Sequence, residues 1–87
     1  MVGFKARALL KQIRSARSDA NVSFSELIAL LKALGFELRV RGDHHILWKG
    51  GIAEIINLQP NRAKAKPYQV KQVRSILGRY KLGFHDE

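Results

Sequence analysis

The sequence predicts an α+β domain: two helices, a three-stranded antiparallel meander, then a closing helix. Three observations carry this reading. A helix-start signal stands at Ser23 and Glu26. An alternating apolar–polar run spans 36–41, with two further extended runs behind it, and an apolar stripe at helical spacing crosses 70–80. At 87 residues the chain makes one domain, able to bury roughly 60–65% of its unfolded surface. Its 46% hydrophobic content excludes a disordered basic tail.

The first helix is expected over 2–17. Val2, Ala6, Leu9, Leu10, Ile13 and Ala16 fall on one stripe, whose centre Lys5, Arg7, Lys11, Arg14 and Arg17 avoid. In the second helix Ser23 and Glu26 make an S-x-x-E capping box, each side chain satisfying a free backbone N–H, with Val22 and Leu27 at the staple positions. Leu27, Ile28, Leu31 and Leu34 form its buried stripe, and Gly35 is its left-handed stop. Phe36, Leu38 and Val40 alternate with Glu37, Arg39 and Arg41, the periodicity of a strand with one buried face. A Gly42-Asp43 turn leads to a second strand at 44–49. Gly50-Gly51 then suits a primed two-residue turn, and 52–58 reads as a third strand. Beyond a polar basic loop at 59–66, Pro67 fits the first position of a helix striped by Val70, Val73, Leu77 and Tyr80. Gly78 weakens the end of that helix, and the chain from Leu82 is expected to fray into a disordered tail at 84–87.

Sixteen Lys+Arg against seven Asp+Glu give a net charge of +9 and a pI near 10.5. Such a charge speaks of partners: nucleic acid first, then an acidic protein, then an anionic membrane surface. No cysteine is present, which excludes disulfides and thiolate metal sites and suits a reducing compartment. No apolar run approaches the roughly 18–20 residues of a membrane-spanning helix. Cations interrupt any secretory apolar region near the N-terminus, although its Arg-containing, amphipathic, acid-free character also matches an organellar transit peptide.

The chemistry is concentrated at Gly42-Asp43-His44-His45, between two strand-like runs. Histidine moves protons near neutral pH, so a pair at a strand junction is a candidate reaction centre. Strand parity sends the two rings to opposite faces, His44 with Ile46 and Trp48, His45 with Leu47 and Lys49. Parity alone does not say which ring reacts, and an incidental surface pair is the plainer reading. A metal site is not expected: His85, in the tail, is the only other histidine, and no spacing fits a ligand set. Asp43 beside His44 would favour the protonated ring, although Asp after Gly is also an ordinary turn residue, which is the reading we prefer. Arg39, Arg41 and Lys49, with Arg62, Lys64, Lys66, Lys71 and Arg74, form the candidate phosphate-binding set; no acid interrupts 62–74. Trp48 is expected in the core under a helix, and Tyr68 is the better candidate to stack on an unpaired base.

Residues 24–77 resemble the HicA family of bacterial toxins. Ser25-Glu26-Leu27-Ile28-Ala29-Leu30-Leu31-Lys32-Ala33-Leu34-Gly35-Phe36-Glu37 resembles its first conserved helix and Gly-Phe exit. Gly42-Asp43-His44-His45-Ile46 resembles its Gly-Ser-His-His signature, and Lys71-Gln72-Val73-Arg74-Ser75-Ile76-Leu77 its closing helix. The resemblance implies a fold like the double-stranded-RNA-binding domain, with helices on one face of the sheet. It implies cofactor- and metal-independent cleavage of mRNA in the cytoplasm, with His44 catalytic and Gly42, Asp43 and His45 as its supporting turn. It also implies neutralisation by a cognate HicB-type antitoxin, with no membrane involved. Asp43 departs from the usual Ser, Gln59-Pro60-Asn61-Arg62 departs from a His-Gly-Asn type segment, and the helix within 1–20 is added to the 21–83 core. Two other readings stand beside this one: a non-catalytic double-stranded-RNA-binding module, and a basic adaptor for an acidic protein.

Overall fold

The computed structural model describes residues 3–84. Helix α1 (Phe4–Arg14) leads through a short 3₁₀ turn at Asp19–Asn21 into α2 (Phe24–Ala33). Strands β1 (Glu37–Arg41), β2 (His44–Trp48) and β3 (Ile56–Leu58) follow, and α3 (Pro67–Arg79) closes the order. The strands form one antiparallel sheet in the order β1-β2-β3, in register Arg41 with His44, and His45 with Leu58. The α+β class, the meander and the double-stranded-RNA-binding-like arrangement are therefore as expected.

The core lies between the helices and one face of the sheet, where Leu47, Ile56 and Leu58 are fully buried with Leu27, Leu31, Val70 and Val73. Helix α2 begins with half of the expected capping box: Ser23 Oγ accepts the Glu26 N–H at 3.3 Å, while among the described residues the Glu26 side chain makes no return bond to Ser23 N–H. The staple residues Val22 and Leu27 are both buried. It ends in a Schellman turn at Gly35 (φ +101°), where Phe36 N–H donates to Leu31 O and Gly35 N–H to Lys32 O, each at 3.0 Å. The φ of +101° is what calls for glycine there; a Cβ would stand 2.5 Å from Lys49 Nζ, the mobile end of a side chain that can swing aside.

The structure corrects several boundaries. Helix α1 is shorter than 2–17, because the chain reverses at Ala16 and Ser18, both with left-handed φ; Val2 lies outside the described residues. The primed turn falls at Gly42-Asp43, with positive φ at Gly42 alone, the pattern of a II′ hairpin. At Gly50-Gly51 only the second glycine has positive φ (+86°) and Ile52 N–H donates to Lys49 O at 3.1 Å, a type II turn that does not pair the strands directly. Strand β3 consequently keeps only Ile56–Leu58. The stretch before it is held by α3: the Tyr80 hydroxyl accepts from Ala53 N–H at 3.3 Å and donates to Glu54 at 2.6 Å, and Arg79 pairs with the same carboxylate. The Tyr80 hydroxyl, then Arg79, holds the Glu54 carboxyl below its ordinary range, so this tie is present at neutral pH and is lost as acid protonates the group. Val40 is 52% exposed, not buried: it lies on the edge strand β1, and Phe24 of α2 packs on its cross-strand partner His45.

The end of the chain also differs from expectation. Helix α3 runs through Gly78 and stops at a Schellman turn on Lys81 (φ +51°), with Leu82 N–H bonded to Leu77 O at 2.9 Å. Leu82 is not frayed: its carbonyl accepts from Arg14 Nη2 at 2.7 Å. Phe84 is buried, with the Arg7 guanidinium 5.7 Å above its ring. The remainder of the expected tail, including His85, lies outside the described residues.

Helix α1 belongs to the same core through Leu9, Leu10 and Ile13. Arg74 of α3 braces it, donating to the Ile13 carbonyl at 2.6 Å and to the Asp19 carboxylate. Arg74→Ala removes the donor for two partly buried acceptors and is expected to cost about 1–3 kcal/mol. Urea unfolding checks this, and a loss under about 0.5 kcal/mol, within the range of an ordinary surface substitution, would show that the brace is not holding.

Candidate active site

The II′ turn at Gly42-Asp43 sets the parity of β2. Leu47 is fully buried on the helix-covered face, so His45 shares that face and His44 shares the other with Ile46 and Trp48. Trp48 is accordingly half-buried on the face away from the helices, not under one. His44 is exposed. Directly opposite it on β1 is Arg41, with Arg39 two residues along the same face. On the other side, Asn57 pairs with Ile46, and one step beyond the His45–Leu58 pair Gln59 comes opposite His44.

Both amides reach the imidazole. His44 Nδ1 is 3.3 Å from Asn57 Oδ1, and the Gln59 amide nitrogen is 2.8 Å from His44 Nε2 and 3.0 Å from Nδ1. Asn57 Oδ1 can only accept, so we assign the tautomer with hydrogen on Nδ1. That leaves a lone pair on Nε2, to which Gln59 donates. Gln59 is itself held by the amide of buried Gln69 in the first turn of α3, 3.1 Å from its backbone nitrogen and 3.2 Å from its carbonyl oxygen. His44, Asn57, Gln59, Tyr68 and Gln69 line an open depression of about 250 Å³, into which Tyr68, 64% exposed, contributes its ring.

His45 is placed quite differently. Its Nδ1 donates to the Asp43 carbonyl at 3.2 Å, and its ring meets Phe24 edge-on at 4.8 Å and 81°. The Asp43 side chain is exposed in the turn, and the hydrogen-bond partners of the His44 ring are the two amides.

The candidate phosphate set divides. Arg39 and Arg41 share the His44 face. Arg62, Lys64 and Lys71 are exposed, and Lys64 also donates to Asn21 Oδ1. Half-buried Lys66 stands at the N-cap position of α3, where its backbone N–H, not its side chain, makes the cap contact, 3.3 Å from the Gln69 side-chain amide. Arg74 is occupied by Ile13 and Asp19, and Lys49 lies against Gly35 at the C-terminal end of α2, the opposite end of β2 from His44. A further basic stripe, Arg7, Lys11 and Arg14, lines a depression on α1. Among the described residues, no group of three or more His, Cys, Asp or Glu is placed to hold a metal ion, and no helix is long and apolar enough to cross a membrane.

Residues 24–78 match the family model described as the HicA toxin of bacterial toxin-antitoxin systems. The chain belongs to the HicA toxin family. No curated protein and no solved structure matches it. This HicA-family chain is thus a toxin of a toxin–antitoxin pair, whose partner is an antitoxin. The matched segment contains α2, the whole sheet and α3 with both histidines, and it leaves α1 outside. Within the HicA match, Asn57, Gln59 and Gln69 line the candidate site; motif reading gave none of them a role and noted Gln59 only as part of the departing segment 59–62. A signal for two of them was present: Asn57 and Gln59 alternate with Ile56 and Leu58, which assigns both amides to the open face.

Proposed function

We propose that this toxin is a metal-independent endoribonuclease that cleaves mRNA, with His44 as the general base. The observation that carries the reading is the orientation of His44. With hydrogen assigned to Nδ1 opposite Asn57 Oδ1, Nε2 carries the lone pair, on a ring that lines an open depression and stands across the strand pair from Arg41. A ribose 2′-OH displaces the Gln59 amide and gives its proton to Nε2; the 2′-oxygen attacks the adjacent phosphorus. Arg41, the cross-strand neighbour of His44, would stabilise the charge that develops on the phosphorane. The bond to the 5′-oxygen then breaks, that oxygen takes a proton from the water to which the depression is open, and the hydroxide left takes the proton from Nε2, which restores the base. The products are a 2′,3′-cyclic phosphate and a 5′-hydroxyl, and the need for a 2′-OH confines the chemistry to RNA. Tyr68, on the rim of the same depression, offers a stacking surface to the base. The antitoxin in this reading is HicB-type and covers the basic face, and the site of action is the cytoplasm, where mRNA is translated.

The deciding experiment incubates single-stranded RNA with the protein in EDTA, beside the same RNA carrying 2′-deoxyribose at the cleaved position. Cyclic-phosphate fragments are expected from the first and none from the second. Cleavage that EDTA abolishes, or that survives the 2′-deoxy substitution, overturns the mechanism. Retention of intact duplex RNA without cleavage would instead identify the non-catalytic binding module.

A further inference from the structure

The face of the tip opposite His44 carries a second depression, of about 310 Å³, lined by Ser23, Phe24, Ser25, His45, Pro60 and Arg62. We propose that it is a phosphate subsite for the nucleotide next to the one that reacts, with Arg62 and His45 as its ligands. The proposal rests on the ribonuclease reading for the neighbouring nucleotide, although phosphate binding here does not require cleavage.

The two depressions are adjacent by construction. His44 lines one and His45 the other; Gln59 lines the first and Pro60 the second. Two consecutive residues from each of two neighbouring chain segments therefore form the ridge between them. A nucleic-acid strand laid across this end of the sheet passes from the His44 depression over the ridge into the other. The second depression has the chemistry such a strand needs. Arg62 is exposed and makes no ion pair among the described residues, and its fork of N–H donors matches a phosphodiester. His45 spends Nδ1 on the Asp43 carbonyl and is fixed by Phe24, which leaves Nε2 as its only remaining polar atom. When protonated, Nε2 donates. Ser25 adds a hydroxyl, and Phe24 and Pro60 supply an apolar wall against which a ribose can rest.

Arg62 is also held in place rather than left on a free loop. Asn61 and Lys64 exchange backbone hydrogen bonds at 2.8 and 3.1 Å, with Arg62 between them at φ +59°. Ala63 O accepts from Phe24 N–H at 3.0 Å, and Ala65 N–H donates to Val22 O at 2.9 Å, clipping the segment to the entry of α2. The chain thus keeps an arginine at a backbone conformation that favours glycine, at the rim of a depression that already holds a histidine.

The test uses the full chain carrying His44→Ala and a short 2′-O-methyl oligoribonucleotide, so that no cleavage is read. The oligonucleotide is expected to shift the side-chain NMR signals of both His45 and Arg62. Arg62→Gln in the same background is expected to weaken binding about tenfold and to reduce the salt dependence of log K by about 0.7, the share of one phosphate on a single strand. A conservative Arg62→Lys should restore most of the salt dependence. Unchanged affinity and salt slope in Arg62→Gln overturn the subsite, as do unmoved His45 and Arg62 signals in saturating oligonucleotide. A glutamate-rich peptide that moves those signals when the oligonucleotide does not would assign the depression to a protein partner and likewise overturn it. If the parent cleaves no RNA but the oligonucleotide produces both effects, the ribonuclease reading falls and the subsite stands.

Discussion

His44→Ala is expected to lower the rate of RNA cleavage by about 10²–10⁴, the span associated with loss of a positioned general base. The fold should be indifferent to this change. His44 is exposed, and the partners it loses, Asn57 and Gln59, are surface amides that water can satisfy. Circular dichroism and the urea midpoint should therefore match the parent, and affinity for non-cleavable RNA should stay within about threefold, since no phosphate-binding cation is removed. A folded, RNA-binding His44→Ala protein that cleaves as fast as the parent would remove His44 from the mechanism. His45→Ala should be milder in turnover, because that ring lies on the other face against Phe24.

The largest stability effect is expected from α1, which the family match leaves out. Leu10 is fully buried, and Leu10→Ala should destabilise the protein by about 2–5 kcal/mol through lost transfer energy and the cavity left behind. In a domain of this size, with total stability of about 5–15 kcal/mol, that is a large fraction. Urea unfolding is the measurement. A cost below about 1 kcal/mol would mean that α1 is an appendage, and that the core is complete from α2 onward. Leu9, Leu10 and Ile13 are buried with α2 and α3, and Arg74 and Arg14 tie the helix to chain segments more than sixty residues away, so we expect the larger value.

Much of this fold was legible because its signals are local. Ser23, Glu26 and Gly35 mark the two ends of α2 through backbone needs that few other residues meet, and the alternation from Phe36 to Arg41 fixes strand parity. What was hidden depends on distant partners. Nothing near Glu54 in sequence announces that Tyr80 and Arg79 will draw it out of β3, and nothing near Leu82 announces Arg14. Val40 was misjudged for a related reason: alternation says which face a residue shares, not whether a helix reaches far enough to cover it. The site divides in the same way. The His pair stands out by type and position, and parity separates its members. The amides that orient His44 are ordinary residues whose meaning comes from register with β2 and from Gln69 behind them. Among the cations, sequence could count charges but not occupancy or place: Arg74 is held by Ile13 and Asp19, Lys49 lies near Gly35 at the far end of β2, and Arg41 stands opposite His44.

The contacts of Arg7 with Phe84 and of Arg14 with Leu82 bring the two ends of the described chain together. The backbone is in effect a ring with one gap. A short linker across that gap would close it, and the circle could be reopened in the connection between β2 and β3, away from the hairpin that carries both histidines. Such a circular permutant would keep every element in place while moving both termini to a new position, because the fold depends on the neighbourhood of its ends and not on where the chain happens to start.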